Sequence, residues 1–274
     1  MPELPEVETV VRDLRAQGLV GARITAVDLH WPRIFGENPA ALLRALPGRK
    51  IAQVGRRAKY IVIDLDDGAR VLVHLRMTGK LLLLDKAATP GKHDHVVLTF
   101  DDRRRLAYND TRKFGRFTLC TPALNPLAVL GPEPLEPTFT LACLKHQLAG
   151  HKRFIKPLLL DQTVLAGLGN IYVDESLWQA GIHPERPANT LTPAELRALH
   201  RAIRQVLALA VANCGSTLGG GQSNFYSVAG RRGQHADGLK VFRLNGKPCP
   251  RCAAILVRSV VAQRGTHFCP KCQV

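Results

Sequence analysis

The sequence predicts an α+β chain of more than one domain: an N-terminal β-sandwich behind a leading helix, then a helical region that closes on a four-cysteine hairpin. Three observations carry this. Short aliphatic runs separated by turn residues fill positions 21 to about 119. Five prolines then crowd the stretch TPALNPLAVLGPEPLEP, which reads as a linker between domains. Beyond it the apolar spacing turns helical, and two Cys-x2-Cys pairs end the chain. The expected boundaries are 1–120, a linker at 121–137, then 138–240 and 241–274, and 274 residues suffice for two ordinary cores.

The leading helix is expected in MPELPEVETVVRDL. Pro5 suits a first helical turn, and Glu6 and Glu8 favour the positive end of the helix dipole. Val7, Val10, Val11 and Leu14 give one apolar face, and Gly18 is a plausible stop. Leu4 before Pro5 is a poor cap, so no side-chain capping is expected. Strands follow in ARITAVDLH, KYIVIDL, RVLVHL, KLLLL, HVVLTF and RLAY, punctuated by Asp66-Asp67-Gly68 and Asp101-Asp102. Six or more such strands suggest a sandwich or a flattened barrel.

In the helical region, Leu141, Leu144 and Leu148 form a stripe ending at Gly150. Thr192-Pro193-Ala194-Glu195 is a capping box opening a long amphipathic helix through Leu196, Leu199, Ile203, Val206 and Leu207. The following GSTLGGGQSNFYSVAGRRGQHADG holds seven glycines and no periodicity. Composition leaves open whether it is filler or a mobile functional loop.

Of seven cysteines, four form Cys249-x2-Cys252 and Cys269-x2-Cys272, with sixteen residues between the pairs. This is the spacing of a zinc ribbon, and four thiolates leave no open position, so one structural Zn2+ is expected. Two disulfides are the alternative, disfavoured in a reducing compartment. Arg251, Arg258, Arg264 and Lys271 decorate the ribbon, with Arg264 expected near the hairpin bend. Cys120, Cys143 and Cys214 read as packed thiols.

Charge narrows the function. Lys and Arg number 38 against 22 Asp and Glu, a net charge of +16, and such an excess answers an anionic partner. No apolar run approaches the ~18 residues of a membrane helix, and the start lacks a signal-peptide pattern. Nucleic acid and a cytoplasmic location are therefore expected. Gly167-Leu168-Gly169-Asn170, opening a helix, is the kind of turn that cradles a phosphate, with Lys156 nearby as countercharge. Such turns are also plain helix connectors.

Four stretches taken together, MPELPEVET, HLRMTG with NDTRKFGRF, LAGLGNIYVDE and the cysteine ribbon, resemble the bacterial formamidopyrimidine-DNA glycosylase (8-oxoguanine DNA glycosylase/AP lyase) family. The resemblance runs the length of the chain, and Leu4 is similar to this branch rather than to endonuclease VIII. It implies a catalytic sandwich, a helix-two-turns-helix DNA-binding domain with a mobile lesion loop, and a zinc finger. It further implies a monomer of base-excision repair, cytoplasmic and nucleoid-associated in use, that removes oxidised purines from duplex DNA.

On this resemblance Met1 is removed and Pro2 becomes the nucleophile, with Glu3 as general acid and base and Glu6 supporting the terminus. Lys59 reaches the lesion and its phosphate. Met77, Arg112 and Phe114 fill the void left by the flipped base. His74, Lys156, Asn170 and Arg264 grip the backbone, Arg264 also assisting the second phosphate elimination. One region departs from the pattern: the loop from Thr217 to Lys240 contains AGRRGQHADG where the family carries an aromatic PGYFQ-like stretch. Lesion contacts there do not transfer residue by residue. Two other classes of function remain open on the residues alone, a non-catalytic DNA-binding protein and a zinc-ribbon subunit of a larger assembly. Neither uses Pro2 and Glu3.

Overall fold

A computed structural model describes residues 1–36, 39–85, 88–219 and 224–274. The chain divides into two compact units, one formed by residues 1–128 with 213–236, the other by 129–212 with 237–274. The division differs from the expected boundaries chiefly at 213–236. That glycine-rich segment was expected with the helical domain, but hydrogen bonds to the leading helix tie it to the first unit.

In the first unit, α1 (Leu4–Ala16) precedes eight strands: β1 (Ile24–Leu29), β2 (Ile51–Arg57), β3 (Tyr60–Leu65), β4 (Arg70–His74), β5 (Lys80–Leu84), β6 (Asp94–Phe100), β7 (Arg105–Asn109) and β8 (Arg116–Cys120). They form two antiparallel four-stranded sheets, ordered β1-β6-β7-β5 and β2-β3-β4-β8. Inward residues of both sheets, among them Ile24, Val96 and Leu106 from one and Ile61, Val73 and Phe117 from the other, share a single core. Val7, Val10, Val11 and Leu14 of α1 join it, and α1 packs on β2 and β3. The sandwich expectation is met.

The sequence did not signal β2, β8, or the short helix α2 (Pro39–Ala45). In IAQVGRR only Ile51 and Val54 are buried, a register shift interrupts the pairing between Ile51 and Gln53, and the strand's end is basic. Period-two alternation is therefore absent.

The second unit holds α3 (Leu141–Leu148), α4 (Ile155–Leu160), α5 (Asn170–Ala180) and α6 (Pro193–Ala212), followed by the hairpin β9 (Val257–Val261) and β10 (Arg264–Phe268). Of the expected stripe, Leu144 and Leu148 are buried, whereas Leu141, in the first turn of α3, is half-buried. The capping box forms: the Thr192 N–H donates to Glu195 Oε2 at 2.7 Å, and the Glu195 N–H donates to Thr192 Oγ1 at 3.3 Å. α5 ends on Gly181 in the left-handed conformation, the usual way a helix stops. Among the described residues no helix is long and apolar enough to cross a membrane.

Candidate active site and nucleic-acid interface

The amino terminus is built around Glu6. Glu3, not Leu4, is the N-cap of α1. Its N–H donates to Glu6 Oε2 at 2.8 Å, which corrects the expectation of an uncapped start. The other oxygen of Glu6 accepts from the Ser216 N–H at 2.7 Å. The chain passes so close there that a Cβ on Gly215 (φ +76°) would lie 2.8 Å from Glu6 Oε1. Only glycine fits. Glu3 and Glu6 are both nearly inaccessible, at 2% and 1%, and Pro2 is buried beside them while Met1 is exposed. A terminus that would ordinarily fray is held at a fixed place.

The same helix face holds the loop. Asp13 is buried, and its carboxylate accepts from Arg231 Nη2 at 2.7 Å and from the Ala229 N–H at 3.2 Å. The loop's stems pair through a bridge between Ser216 and Gln234, and Thr217 Oγ1 accepts from the Gly233 N–H. Residues 216–219 and 224–234 are thus an ordered loop with a hydrogen-bonded stem.

Lys59 follows Ala58 (φ +52°) in the two-residue turn between β2 and β3. At 6% exposure it is not one more solvated base on a strand. His74 ends β4, packs edge-on against Tyr60, and accepts from the Arg76 N–H through Nδ1 at 3.0 Å. Burial, and then the charges of Arg76 and Lys59, push its pKa down to about 3. The ring is neutral at physiological pH, and with Nδ1 accepting, the proton sits on Nε2.

Met77, Arg112 and Phe114 lie on two loops, 75–79 between β4 and β5 and 110–115 between β7 and β8. Met77 and Phe114 would ordinarily belong to a core, yet they are 39% and 47% exposed. The Arg112 guanidinium sits 4.7 Å over the Phe114 ring. Beneath them lies a residue that sequence reasoning missed. Asp110 has no exposed surface. Its Oδ1 accepts from Thr78 Oγ1 and, at 3.1 Å, from the Arg112 N–H. Its Oδ2 accepts from the Phe114 and Gly115 N–H groups, both at 2.8 Å.

In the second unit, Lys156 corrects an expectation. Its ammonium is wholly buried, 2.6 Å from Asp174 Oδ1 and 3.1 Å from the Gly265 carbonyl oxygen, so it does not reach outward to a phosphate. Asp174 Oδ2 accepts from the His267 N–H at 2.9 Å, and Asn170 Nδ2 donates to the same Gly265 carbonyl at 2.8 Å. Lys156, Asp174 and Asn170 therefore fasten β10 to α4 and α5. Gly167, in the expected phosphate turn, gives its N–H to Gln162 Oε1. Arg264 stands exposed immediately after the bend at Ala262 and Gln263, as expected. Glu175, also missed, accepts from the consecutive N–H groups of Lys240, Val241 and Phe242 at 2.9 Å each, fixing the entry to the ribbon.

The four ribbon cysteines place their sulfurs within 4.8 Å of one another, with Cys249 to Cys272 at 3.9 Å and Cys252 to Cys269 at 3.5 Å. A tetrahedral zinc with Zn–S bonds of about 2.3 Å sets sulfurs about 3.8 Å apart, so the set fits. Trp178 Nε1 donates to Cys249 Sγ at 3.4 Å. Burial raises the Cys249 thiol, but this bond and the nearby backbone N–H groups outweigh it and bring the pKa to about 6. The site binds one structural zinc ion.

The chain thus combines a two-sheet unit with a fixed Pro-Glu terminus, a helical unit and a four-cysteine zinc finger, and known families match each part in that order. Family profiles for the formamidopyrimidine-DNA glycosylase N-terminal domain, its H2TH domain and a zinc finger found in FPG and IleRS match residues 1–117, 130–220 and 246–274. The chain belongs to the formamidopyrimidine-DNA glycosylase family. Curated formamidopyrimidine-DNA glycosylases from Chloroflexus aggregans and a Roseiflexus strain are 49% and 47% identical over the whole chain, covering 99% and 100% of those proteins. A Lactococcus lactis Fpg solved with DNA containing an abasic site superposes with a TM-score of 0.90 at 39% identity, over 99% of both chains. The MutM (Fpg) protein of Thermus thermophilus gives 0.89 at 39%, over 99% of this chain and 98% of that one.

Proposed function

We propose that this protein is a bifunctional DNA glycosylase of base-excision repair. It removes oxidised purines, 8-oxoguanine and formamidopyrimidines, from duplex DNA and then cleaves the abasic strand. The observation that carries the reading is the Pro2-Glu3 terminus, buried and pinned through Glu6 by two backbone N–H groups.

Once Met1 is removed, Pro2 is a free secondary amine, and α-amino groups titrate near ~8, so a useful fraction is nucleophilic at neutral pH. The nitrogen lone pair attacks C1′ of the damaged nucleotide, and the base departs with its bonding electrons and the proton the amine sheds; Glu3 then protonates the sugar ring oxygen as the C1′–O4′ bond breaks and the ring opens. The resulting iminium carries a permanent positive charge because the amine is secondary. It draws electrons from C2′, a proton leaves to Glu3, and the 3′ and then the 5′ phosphate are eliminated. Arg264 assists the second departure. Lys59 contacts the lesion and its phosphate. His74, as a neutral Nε2–H donor, and Asn170 hold the backbone.

A base inside a duplex is out of reach, so the nucleotide is extruded and Met77, Arg112 and Phe114 enter the gap. An apolar wedge, a stacking ring and a guanidinium for the orphaned cytosine suit that task. The +16 charge supports DNA as the partner. The protein acts as a monomer in the cytoplasm, at the nucleoid.

The test is borohydride trapping on a duplex containing 8-oxoguanine. A covalent complex is expected with the parent and far less with Pro2→Gly. Glu3→Gln should lower strand cleavage by roughly 10²–10⁴-fold. A parent protein that traps on no lesion would sink the lyase chemistry.

A further inference from the structure

Two separate loops carry Met77 on one side and Arg112 with Phe114 on the other, and one carboxylate lies under both. Asp110 takes the Thr78 hydroxyl from the first loop and the N–H groups of Arg112, Phe114 and Gly115 from the second. Its backbone carbonyl accepts from His95 Nε2–H at 2.7 Å, anchoring the residue itself on β6. The Tyr108 hydroxyl stands 3.5 Å from Oδ2, wedged where both loops return to the sheet. A Cβ on Gly79 would come 2.1 Å from that hydroxyl oxygen, and one on Gly115 would come 1.6 Å from it. Glycine is therefore required at the exit of each loop, and both loops are cast against the same Tyr108–Asp110 pair.

We infer that Asp110 is a positioning residue for base extrusion: it sets the two loops in register, so that Met77, Arg112 and Phe114 enter the duplex as one unit. This rests on the void-filling reading above. Exposed Met and Phe side chains gain nothing from water, and free loops would fold them down onto nearby apolar surface. A buried carboxylate saturated by donors from both loops holds them in place instead. Because its partners on the second loop are backbone N–H groups, the arrangement fixes the peptide planes that aim Arg112 and Phe114. An amide at this position turns a donor either toward the N–H groups of Phe114 and Gly115 or toward the N–H of Arg112, and the register is lost.

The experiment compares parent, Asp110→Asn, Thr78→Val and Arg112→Ala on 8-oxoguanine paired with cytosine or adenine. The same lesion is also placed opposite a one-nucleotide gap, where no orphaned base needs a partner. Zinc content and thermal unfolding report folding. Asp110→Asn should lose about tenfold of its preference for cytosine over adenine. Its loss of kcat/KM on the intact duplex should exceed its loss on the gapped one by a similar factor. Thr78→Val, which removes the tie to the first loop only, should move both ratios in the same direction by a smaller factor. A deficit that is equal on intact and gapped duplexes in both variants is a general folding loss and overturns the proposal. Unchanged discrimination in Asp110→Asn with loss in Arg112→Ala overturns the positioning role alone. Unchanged discrimination in both overturns the void-filling reading and the proposal with it.

Discussion

Two buried aspartates, one in each unit, solve the same problem with different chemistry. Asp110 satisfies its charge with neutral donors, three backbone N–H groups and a threonine hydroxyl. Asp174 meets a full ammonium, that of Lys156, with neither side chain exposed. The first arrangement holds loops whose tips must face DNA, and distributed hydrogen bonds fix backbone direction without adding a positive charge beneath the loops. The second holds a hairpin onto helices. There a compact ion pair is strong while intact and costly once broken, since the survivor is a bare charge in a low-dielectric interior. The contrast separates residues that aim from residues that fasten.

The largest effect should come from removing the metal that closes the fastened hairpin. Chelation is expected to unfold residues 246–274 and abolish DNA binding. Trp178, whose indole donates to Cys249, supplies the signal, a shift of its fluorescence that reverses on adding zinc. Next in size, Lys156→Met should destabilise the second unit by about 3–5 kcal/mol, because the buried Asp174 loses its ammonium partner and keeps only its contacts with His267. Pairing it with Asp174→Leu should recover most of that loss in a denaturant titration. If the single variant is as stable as the parent, Lys156 is not a fastener.

A smaller effect belongs to the first unit. The folded His74 titrates near 3, well below an unfolded histidine. The unfolded chain therefore binds a proton that the folded one refuses, and the stability is complete above pH ~6.5 and declines as pH falls toward 3. Between about pH 6.5 and about pH 5 this amounts to roughly 2 kcal/mol. His74→Gln should be less pH-sensitive than the parent by that amount. The smallest is Thr192→Ala, which removes one half of a surface capping box and should cost about 1 kcal/mol, visible as a modest drop in melting temperature.

What was legible in the sequence were the features whose cause is local. Thr192 and Glu195 meet three residues apart, the cysteine pairs carry their geometry in their spacing, and the leucines of α3 follow one helical face. Pro2, Glu3 and the insertion trio were legible only through resemblance, since Met77 and Phe114 read alone as core. Asp110, Asp174 and Glu175 were invisible because a buried carboxylate is defined by donors that arrive from other elements. Lys156 shows the same limit from the other side. Nothing in KPLLLD distinguishes a lysine aimed at a phosphate from one committed to an aspartate eighteen residues onward. The cap on Glu3 was missed because Glu is an unusual N-cap, and half its box is made by Glu6.

That box has a consequence in time. The bond from the Glu3 N–H to Glu6 is available as soon as the first helical turn exists, while the bond from Ser216 to the same carboxylate joins residues 210 positions apart. At about 5–20 residues per second, a ribosome takes roughly ten to forty seconds to span that separation. For that interval the nascent terminus is held by its own capping box alone, open on the side that Gly215 and Ser216 later cover. The front of the chain is thus finished twice: once when its capping box forms, and again when its own distant loop arrives to close on Glu6.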